Sequence, residues 1–382
     1  MKKSLAFSFL STATFILFSP FFKAEAVPNN YQSFEQWCLR KSDLSAETKK
    51  TVDVLLEIAG TKDCKLANSK LNSLAELQLF RKQVSDLRPL GSLTNLRSLG
   101  LNENNVSDIK PLAGLTNLRD LFLANNKIID ISPLTSLKNL NVLALYSNQI
   151  KDIRPLTDLT NLSHLDLLNN QVSDAKPLAG LTNLTELHLS INQIKDIKPL
   201  AGLTNLTELG LMDNQIKDIK PLSGLTNLTT LSLSNNQISD VNLSNLTKLT
   251  NLFMDNNQIS HINLDGLTNL NRLLLSKNQI RTVNLTGLPK LTILGLSSNQ
   301  INDVKLVAGL TNLEWLDLAK NKISNVSPLI SLTKLIGLDL ANNQISDIKP
   351  LAILPNLTDF RISQNPIRQK VCPFKRVSIC SF

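Results

Sequence analysis

An eleven-residue phrase, L-x-x-L-x-L-x-x-N-x-I, returns at a nearly constant interval along most of the 382-residue chain. Its first leucines stand 22 residues apart at Leu96, Leu118, Leu140, Leu162, Leu184, Leu206 and Leu228. The phrase continues to Leu357 and an earlier copy starts at Leu74, which gives 14 units, numbered here from the N-terminus. Such a period is typical of repeat proteins, in which a unit buries its apolar side only by stacking on the next. The chain is therefore expected to form an elongated stack.

Within each unit, the alternation of Leu with other residues predicts a short strand. Side chains alternate across a strand, so the leucines at positions 4 and 6 are expected to face inward. Positions 3, 5, 7 and 8 are expected to face outward. Leu supplies the core almost alone, since the chain holds 77 Leu and only 4% aromatic residues. Stacking of the units predicts one continuous parallel sheet.

The residues at positions 9, 13 and 16 are typical of turns. Asn stands at position 9 in 13 of the 14 units, where its amide can donate to and accept from backbone groups of adjacent turns. Asp is usual at position 13 and Pro at position 16, which predicts an Asp turn followed by a short extended or 3₁₀ segment. The interval drops to 21 residues at Asn257, Asn278 and Asn299, where the Pro-Leu step is lost. His261 stands in the Asp position and is predicted to be structural.

Residues 1–26 predict an export signal. A charged start and an apolar stretch from Leu5 to Phe18 precede an A-x-A cleavage pattern that ends at Ala26. An uncleaved membrane anchor is the alternative, although Pro20 and Lys23 interrupt the apolar stretch. No second long apolar run follows. We therefore expect a secreted protein without a transmembrane anchor, located in the periplasm, at the cell surface or in the medium.

Four cysteines frame the periodic region in two pairs. Four Cys allow three pairings, and the ends of an elongated stack lie far apart, so we predict Cys38–Cys64 and Cys372–Cys380. An exported protein permits both disulfides. Free thiols or a metal site are the alternative.

The ends of a stack expose apolar edges, which predicts a cap on each side of the repeats. We expect an N-terminal cap over residues 27–73, the repeat solenoid over 74–367 and a C-terminal cap over 368–382. Ser45 and Gly60 are predicted to bound a helix of the first cap. The apolar positions of that helix are Val52, Leu55, Leu56 and Ile58.

The charge and motif content exclude several function classes. The net charge of +9 is mild for this length, and basic residues alternate with Asp, which predicts a mixed solvated face rather than a nucleic-acid-binding stripe. The sequence holds neither G-x-G-x-x-G nor G-x-x-x-x-G-K-[ST], so a nucleotide-phosphate loop is not expected. No cofactor is predicted.

The repeat phrase resembles the bacterial internalin-type subgroup of leucine-rich repeat proteins. The resemblance covers residues 74–367, in phrases such as DIKPLAGLTNL, which runs from Asp196 to Leu206. It implies an α/β fold: a right-handed solenoid of about 14 repeats with a parallel sheet on its concave face, which binds partners there. The Cys-bearing ends resemble those of secreted cyanobacterial leucine-rich repeat proteins. Host-cell invasion does not carry over, because the chain lacks an L-P-x-T-G anchor, Gly-Trp modules and an immunoglobulin-like domain.

Eight aromatic residues follow residue 38, and most of them stand at outward positions. Phe374 and Phe382 belong to the C-terminal cap, and Phe360 replaces a core Leu. The five outward ones are Phe80, Phe122, Tyr146, Phe253 and Trp315. Exposed aromatics on a rigid surface are typical of binding hot spots. Phe80 is the weakest member of the set, because the N-terminal cap is expected to cover it.

Outward apolar residues extend this aromatic set on both halves of the sheet. Val142 and Ile293 are among them. The residues predicted to bind a partner are Phe122, Tyr146, Leu168, His188, Ile191, Met212, Phe253, Leu274 and Trp315. A stripe of this extent exceeds what the surface of a monomer usually leaves bare. The alternative is that neighbouring side chains simply cover one another.

His164 and Asp166 stand at outward positions 3 and 5 of one unit, and Glu186 and His188 at the same positions of the next. Adjacent strands would place these four in a square. His and carboxylate ligands at this spacing could hold a divalent metal or act as an acid/base pair. The simpler interpretation is a patch of hydrogen-bonded pairs, and no metal site is assigned.

The sequence as a whole predicts a non-enzymatic protein, monomeric, that binds a protein or peptide on its concave sheet. A glycan-binding or adhesion protein is the alternative, since aromatic, Asn and Asp side chains also suit sugar rings. An enzyme is disfavoured because the sequence shows no nucleophile motif and an open repeating surface lacks a deep pocket. A purely structural spacer is a further possibility.

Overall fold

The computed structural model describes residues 31–368, 371–374 and 380–381, so the predicted export signal lies outside the described residues. Three helices precede a long parallel sheet. The helices are α1 (Phe34–Leu39), α2 (Ala46–Ala59) and α3 (Cys64–Asn72). The strands are β1 (Glu76–Gln78), β2 (Ser98–Gly100), β3 (Asp120–Phe122), β4 (Val142–Ala144), β5 (His164–Asp166), β6 (Glu186–His188), β7 (Glu208–Gly210), β8 (Thr230–Ser232), β9 (Asp240–Asn242), β10 (Asn251–Phe253), β11 (His261–Asn263), β12 (Arg272–Leu274), β13 (Ile293–Gly295), β14 (Trp315–Asp317), β15 (Gly337–Asp339), β16 (Asp359–Arg361) and β17 (Cys380–Ser381).

The main sheet contains one strand from each of the 14 units and ends with β17. Its order is that of the chain, except that β9 and β11 form a separate two-stranded sheet. Each repeat strand covers positions 3 to 5 of its unit and pairs with the same positions of the next, as Leu165 does with Leu187. This register confirms the predicted solenoid. The surface formed by positions 3, 5, 7 and 8 is called the concave face below.

A ladder of asparagines joins the buried leucines of successive units. The amide of Asn236 donates to the carbonyl of Leu233 in its own unit at 3.0 Å and to that of Leu211 in the preceding unit at 2.9 Å. Its carbonyl accepts from the backbone N–H of Ile216 at 2.9 Å. The other position-9 asparagines repeat this pattern, as Asn104 does with Leu79 and Val84. The predicted role of Asn in stitching adjacent turns is confirmed.

The nine return segments that contain Pro form 3₁₀ turns, as predicted. Asp196 receives the backbone N–H of Lys198, and the 3₁₀ helix Lys198–Gly202 follows. The described 3₁₀ helices are Lys41–Asp43, Arg88–Leu90, Lys110–Gly114, Ser132–Ser136, Arg154–Leu156, Lys176–Leu178, Lys198–Gly202, Lys220–Gly224, Val304–Val307, Ser327–Ser331 and Lys349–Ile353.

The predicted turn role of position 13 is wrong in the short units 8 and 9. Asp240 and His261 begin the paired strands β9 and β11 instead of turns. Without Pro, the segment keeps its N–H donors and extends into a second ladder. The turn moves two residues along, where Asn242 accepts from Ser244 and Asn263 accepts from Asp265.

The two caps close the stack with the predicted disulfides. Cys38 and Cys64 join α1 to α3 with a Cα–Cα distance of 5.5 Å, and Cys372 joins Cys380 at 5.8 Å. Helix α2 starts after Ser45, whose hydroxyl accepts the N–H of Thr48, and ends at Gly60 with a φ of 63°. Among the predicted apolar positions of α2, Val52 and Leu55 are buried, Leu56 is half-buried and Ile58 is exposed. At the other end, Phe360 lies in the core against Phe374, with their ring centroids 5.3 Å apart.

Candidate functional site

The residues predicted to bind a partner lie on the concave face in two groups. Ile191 and Trp315 are the most exposed, at 45% and 44%, and the others are half-buried. We call the group of units 3 to 7 the N-terminal patch: Phe122, Val142, Tyr146, Leu168, His188, Ile191 and Met212. The second group lies in units 9 to 12: Phe253, Leu274, Ile293 and Trp315. Unit 8 separates the two with the small polar residues Thr230, Ser232 and Ser234.

Phe80 corrects an expectation. The N-terminal cap leaves Phe80 exposed, at 47% for the whole residue. The guanidinium of Arg81 lies 4.8 Å from the ring centroid, a cation–π contact. Helix α2 instead contacts the side of the first unit opposite the sheet, where the Thr51 hydroxyl donates to the Asp86 carbonyl. Phe80 therefore adds an exposed aromatic at the N-terminal edge of the concave face.

Position 8 holds a backbone conformation that the sequence pattern does not reveal. In all 14 units its φ is positive, between 53° and 60°. The residues there are polar or charged in 13 units, and only Ile191 is β-branched. A left-handed φ is unfavourable for L-residues and most of all for β-branched ones. Ile191, whose N–H donates to the carbonyl of Met212 at 2.8 Å, is thus an exposed apolar residue with a strained backbone. Strained backbone conformations cluster at functional sites.

We predict that Ile191→Asn raises the free energy of unfolding by about 1 kcal/mol, because Asn tolerates the left-handed region. Urea denaturation measures this change. Ser147→Asn is the matched control, since Ser147 has the same φ of 55° without β-branching, and its gain should be much smaller. A loss of stability in the Ile191 variant would show that its side-chain packing outweighs its backbone strain.

The four polar residues of units 5 and 6 form two cross-strand pairs. His164 Nε2 lies 3.3 Å from a carboxylate oxygen of Glu186, and Asp166 is paired in register with His188. Burial raises the pKa of Asp166, although its carboxylate accepts the N–H of Leu168 at 2.9 Å and faces His188. Within the described part of the chain, no cluster of three or more His, Cys, Asp or Glu side chains is placed to hold a metal ion. The four side chains form a polar patch on two adjacent strands, beside the apolar residues of the N-terminal patch.

A pocket of about 480 Å³ opens on the concave face of the second group. Its apolar part is formed by Leu274, Ile293 and the Trp315 indole. The indole lies across Gly337 of the next strand, where a Cβ atom would overlap the ring. We call it the Trp315 pocket, and its lining is Asp255, Leu274, Ser276, Ile293, Leu294, Gly295, Trp315, Leu316, Asp317, Leu338, Asp339, Asp359 and Arg361.

Four aspartates and one arginine line the Trp315 pocket, and the predicted set includes none of them. Arg361 lies 3.7 Å from Asp339 and 3.4 Å from Asp359. Asp317 and Asp339 also accept the N–H two residues ahead, at 3.0 and 2.9 Å. Burial raises the pKa of Asp255 and Asp339. In the sequence these five residues already stand at outward positions. Only the fold, however, brings them around the apolar part of the pocket.

Known families and structures match most of the chain. A family model described as leucine-rich repeats (two copies) matches overlapping segments that together cover residues 94–180, 182–224, 226–267 and 311–375. A crystal structure of an internalin from Listeria monocytogenes superposes with a TM-score of 0.70 and 33% identity, over 87% of this chain and 94% of that one. The chain is an internalin-type leucine-rich repeat protein. A comparison with curated proteins found no match.

Two further structures resemble this internalin-type protein. A leucine-rich repeat protein of Leptospira interrogans has a TM-score of 0.64 and 26% identity, over 79% of this chain and 93% of that one. The ectodomain of the Arabidopsis thaliana receptor kinase GASSHO1/SCHENGEN3, in complex with Casparian strip integrity factor 2, has a TM-score of 0.65 and 26% identity. That match covers 78% of this chain and 42% of the receptor chain. The cyanobacterial likeness of the caps stays a prediction.

The leucine-rich repeat fold supports protein–protein interaction in general. The two disulfides of this chain are typical of extracellular or surface proteins. Within the described ranges, no helix has the length and apolar character needed to cross a membrane.

Proposed function

We propose that this protein is exported and binds a protein or peptide partner on its concave face, without catalysis. The observation that carries the proposal is the pair of apolar surfaces described above, because Leu fills the core and leaves these aromatic and aliphatic side chains for another role. The division into an export signal at 1–26, caps at 27–73 and 368–382 and a solenoid at 74–367 belongs to the same proposal.

Three considerations support binding rather than catalysis or a spacer role. Trp315 and Ile191 remain 44% and 45% exposed, which costs solubility without a gain in core packing. Ile191 is also held in an unfavourable backbone conformation. A related receptor ectodomain carries a bound factor, which shows that a solenoid of this class can hold a ligand. A spacer would need neither exposed aromatics nor strain.

The proposed anchors are Phe122, Tyr146, Met212, Phe253 and Trp315. Hot-spot side chains typically contribute 1 to 2 kcal/mol or more each, so replacing all five by Ala is expected to weaken partner capture by a factor of at least about 10. The measurement is a crosslinking pull-down in which residues 27–382 are incubated with cell-envelope extract of the organism that produces the chain. Quantitative mass spectrometry compares the captured proteins between the two forms.

A matched control separates the concave face from general stickiness. Ile129 and Ile353 are 61% and 64% exposed outside the concave face, so their double Ala variant should keep capture intact. Capture that is unchanged in the five-residue variant would contradict the proposal. Competition of capture by purified envelope polysaccharide, but not by envelope protein, would instead favour the glycan-binding alternative.

A further inference from the structure

We propose that the Trp315 pocket binds an extended peptide segment of the partner in which an apolar side chain lies between two Arg or Lys side chains. This proposal rests on the concave face being the partner-binding surface and adds the chemistry of the ligand.

The apolar centre of the pocket requires an apolar side chain. Leu274, Ile293 and Trp315 lie on the consecutive strands β12, β13 and β14. Gly295 and Gly337 carry no side chains, which leaves room for the Leu274 side chain over one and the Trp315 ring over the other. The volume of about 480 Å³ lies within the range that ligand sites usually span. A leucine-sized side chain would contact these apolar residues and reduce their exposure to water.

Acidic groups lie on both sides of this apolar centre. Asp255 follows β10 at one end, and Asp317 and Asp339 lie on β14 and β15 at the other, with Asp359 on β16. One cation, Arg361, contacts Asp339 and Asp359. Asp255 accepts hydrogen bonds from neutral donors, among them the Ser276 N–H and the Ser234 hydroxyl. The excess of carboxylates over cations is complementary to a positively charged ligand.

The burial of these carboxylates strengthens the charge argument. Burial raises the pKa of Asp255 and of Asp339. In the free protein, the neighbouring donors and cations therefore do not fully offset the cost of burying these carboxylates in their ionised form. An arriving guanidinium would pair with carboxylates that are already partly desolvated. Arg can in addition stack on the indole of Trp315. These two contacts favour a cationic peptide over an acidic or neutral one.

An extended backbone fits the dimensions of the pocket. From β10, which directly precedes Asp255, to β14, which carries Asp317, there are three strand-to-strand steps of about 4.8 Å, or about 14 Å in all, which equals the distance between the first and the fifth residue of an extended segment. In such a segment every second side chain faces the sheet. The order acidic, apolar, acidic along the pocket therefore matches a partner segment of the form cation-x-apolar-x-cation.

The test uses the acetylated, amidated pentapeptide Arg-Ser-Leu-Ser-Arg as the probe and residues 27–382 as the protein. Trp315 is one of two tryptophans, and the other, Trp37, is buried in the N-terminal cap with 3% exposure. A change in tryptophan emission therefore reports the pocket. We expect the Arg peptide to bind at least about tenfold more tightly than Glu-Ser-Leu-Ser-Glu and Arg-Ser-Ser-Ser-Arg, and more weakly as salt rises.

Asp→Asn variants distinguish an effect of charge on peptide binding from an effect on folding. Asp317→Asn with Asp339→Asn removes two charges, while each amide oxygen can still accept the N–H of Ala319 or Ala341. This double variant should bind the Arg peptide at least about tenfold more weakly. Asp347→Asn removes a charge outside the concave face in the same unit as Asp339, and its amide oxygen can still accept the N–H of Lys349, so its affinity for the Arg peptide should stay that of the unchanged protein.

Equal affinity for the Arg and Glu peptides, or no binding of the Arg peptide at millimolar concentration, would overturn the inference. Failure here is distinct from failure of the proposed function. If partner capture is lost in the five-residue Ala variant but kept in Asp317→Asn with Asp339→Asn, only the pocket chemistry is wrong. If capture survives in the Ala variant, the concave face itself is not the binding surface.

Discussion

Replacing Asn236 by Ala is expected to lower the free energy of unfolding by about 3 to 5 kcal/mol, since each backbone group left buried without a partner costs about 1 to 3 kcal/mol. Asn236 is buried, with 8% of its surface exposed. Its amide donates to the carbonyls of Leu211 and Leu233 and accepts the N–H of Ile216. Ala can replace none of these three bonds. The cavity left by the amide adds to the loss.

The position of Asn236 in the middle of the stack predicts a second consequence. The stability of a repeat protein is roughly a sum of unit terms and nearest-neighbour terms, so a weakened contact between units 7 and 8 reduces the coupling of the two halves. Urea unfolding followed by circular dichroism should then become broader or split into two transitions.

Asn205→Ala is the matched control for this prediction. Asn205 is exposed and its amide donates one bond, to the carbonyl of Thr182 at 2.9 Å. Water can replace that partner, so the loss should stay below about 1 kcal/mol. Equal losses in the two variants would show that burial of the ladder contributes nothing beyond the hydrogen bonds themselves.

The fold was predictable because its determinants are local and repeated. An alternation such as Leu209-Gly-Leu211 followed by Asn214 contains the strand, its inward face and the turn within one unit. The structure places this local pattern in register with its neighbours, unit after unit. A single unit that departs from the repeat phrase does not change the architecture, because the other units impose the same register.

The missed features depend on what lies one period away in the chain. The space that accommodates the Trp315 indole comes from Gly337, 22 residues later. The second sheet pairs Asp240 with His261, 21 residues later, in two neighbouring units that both lack the Pro step. The left-handed φ of Ile191 follows from the ladder geometry and not from its own side chain. Such neighbour effects have no signal within one unit.

The candidate site was predictable in part for the same reason. The outward register located Phe122, Tyr146, Phe253 and Trp315 on one face, because side-chain direction is a local property of a strand. The grouping of Asp255, Asp317, Asp339 and Asp359 around an apolar floor required the curvature and side-chain conformations of six units. The sequence therefore predicts a surface of mixed charge along the chain, but it does not predict that four carboxylates lie around one pocket.

The disulfide of the N-terminal cap is expected to contribute about 3 to 4 kcal/mol to the stability of that end, because it closes a loop with a sequence separation of 26 residues. Replacing Cys38 and Cys64 by Ser should therefore loosen α1 and α3, which the bond joins. The cap packs on the first repeats, where Leu77 and Leu79 are 2% and 0% exposed. Its loosening would uncover an apolar stack end and promote aggregation.

Limited proteolysis and hydrogen exchange measure this effect where it should occur. We expect cleavage and exchange to rise in residues 31–73 and in the first units, with the central units unchanged, since repeats contact only their neighbours. The Cys372→Ser and Cys380→Ser variant is the comparison, because its separation of 8 residues predicts a smaller loss of about 2 to 3 kcal/mol. A uniform rise in exchange along the whole chain would contradict local capping and would mean that the cap stabilises the solenoid as a single cooperative unit.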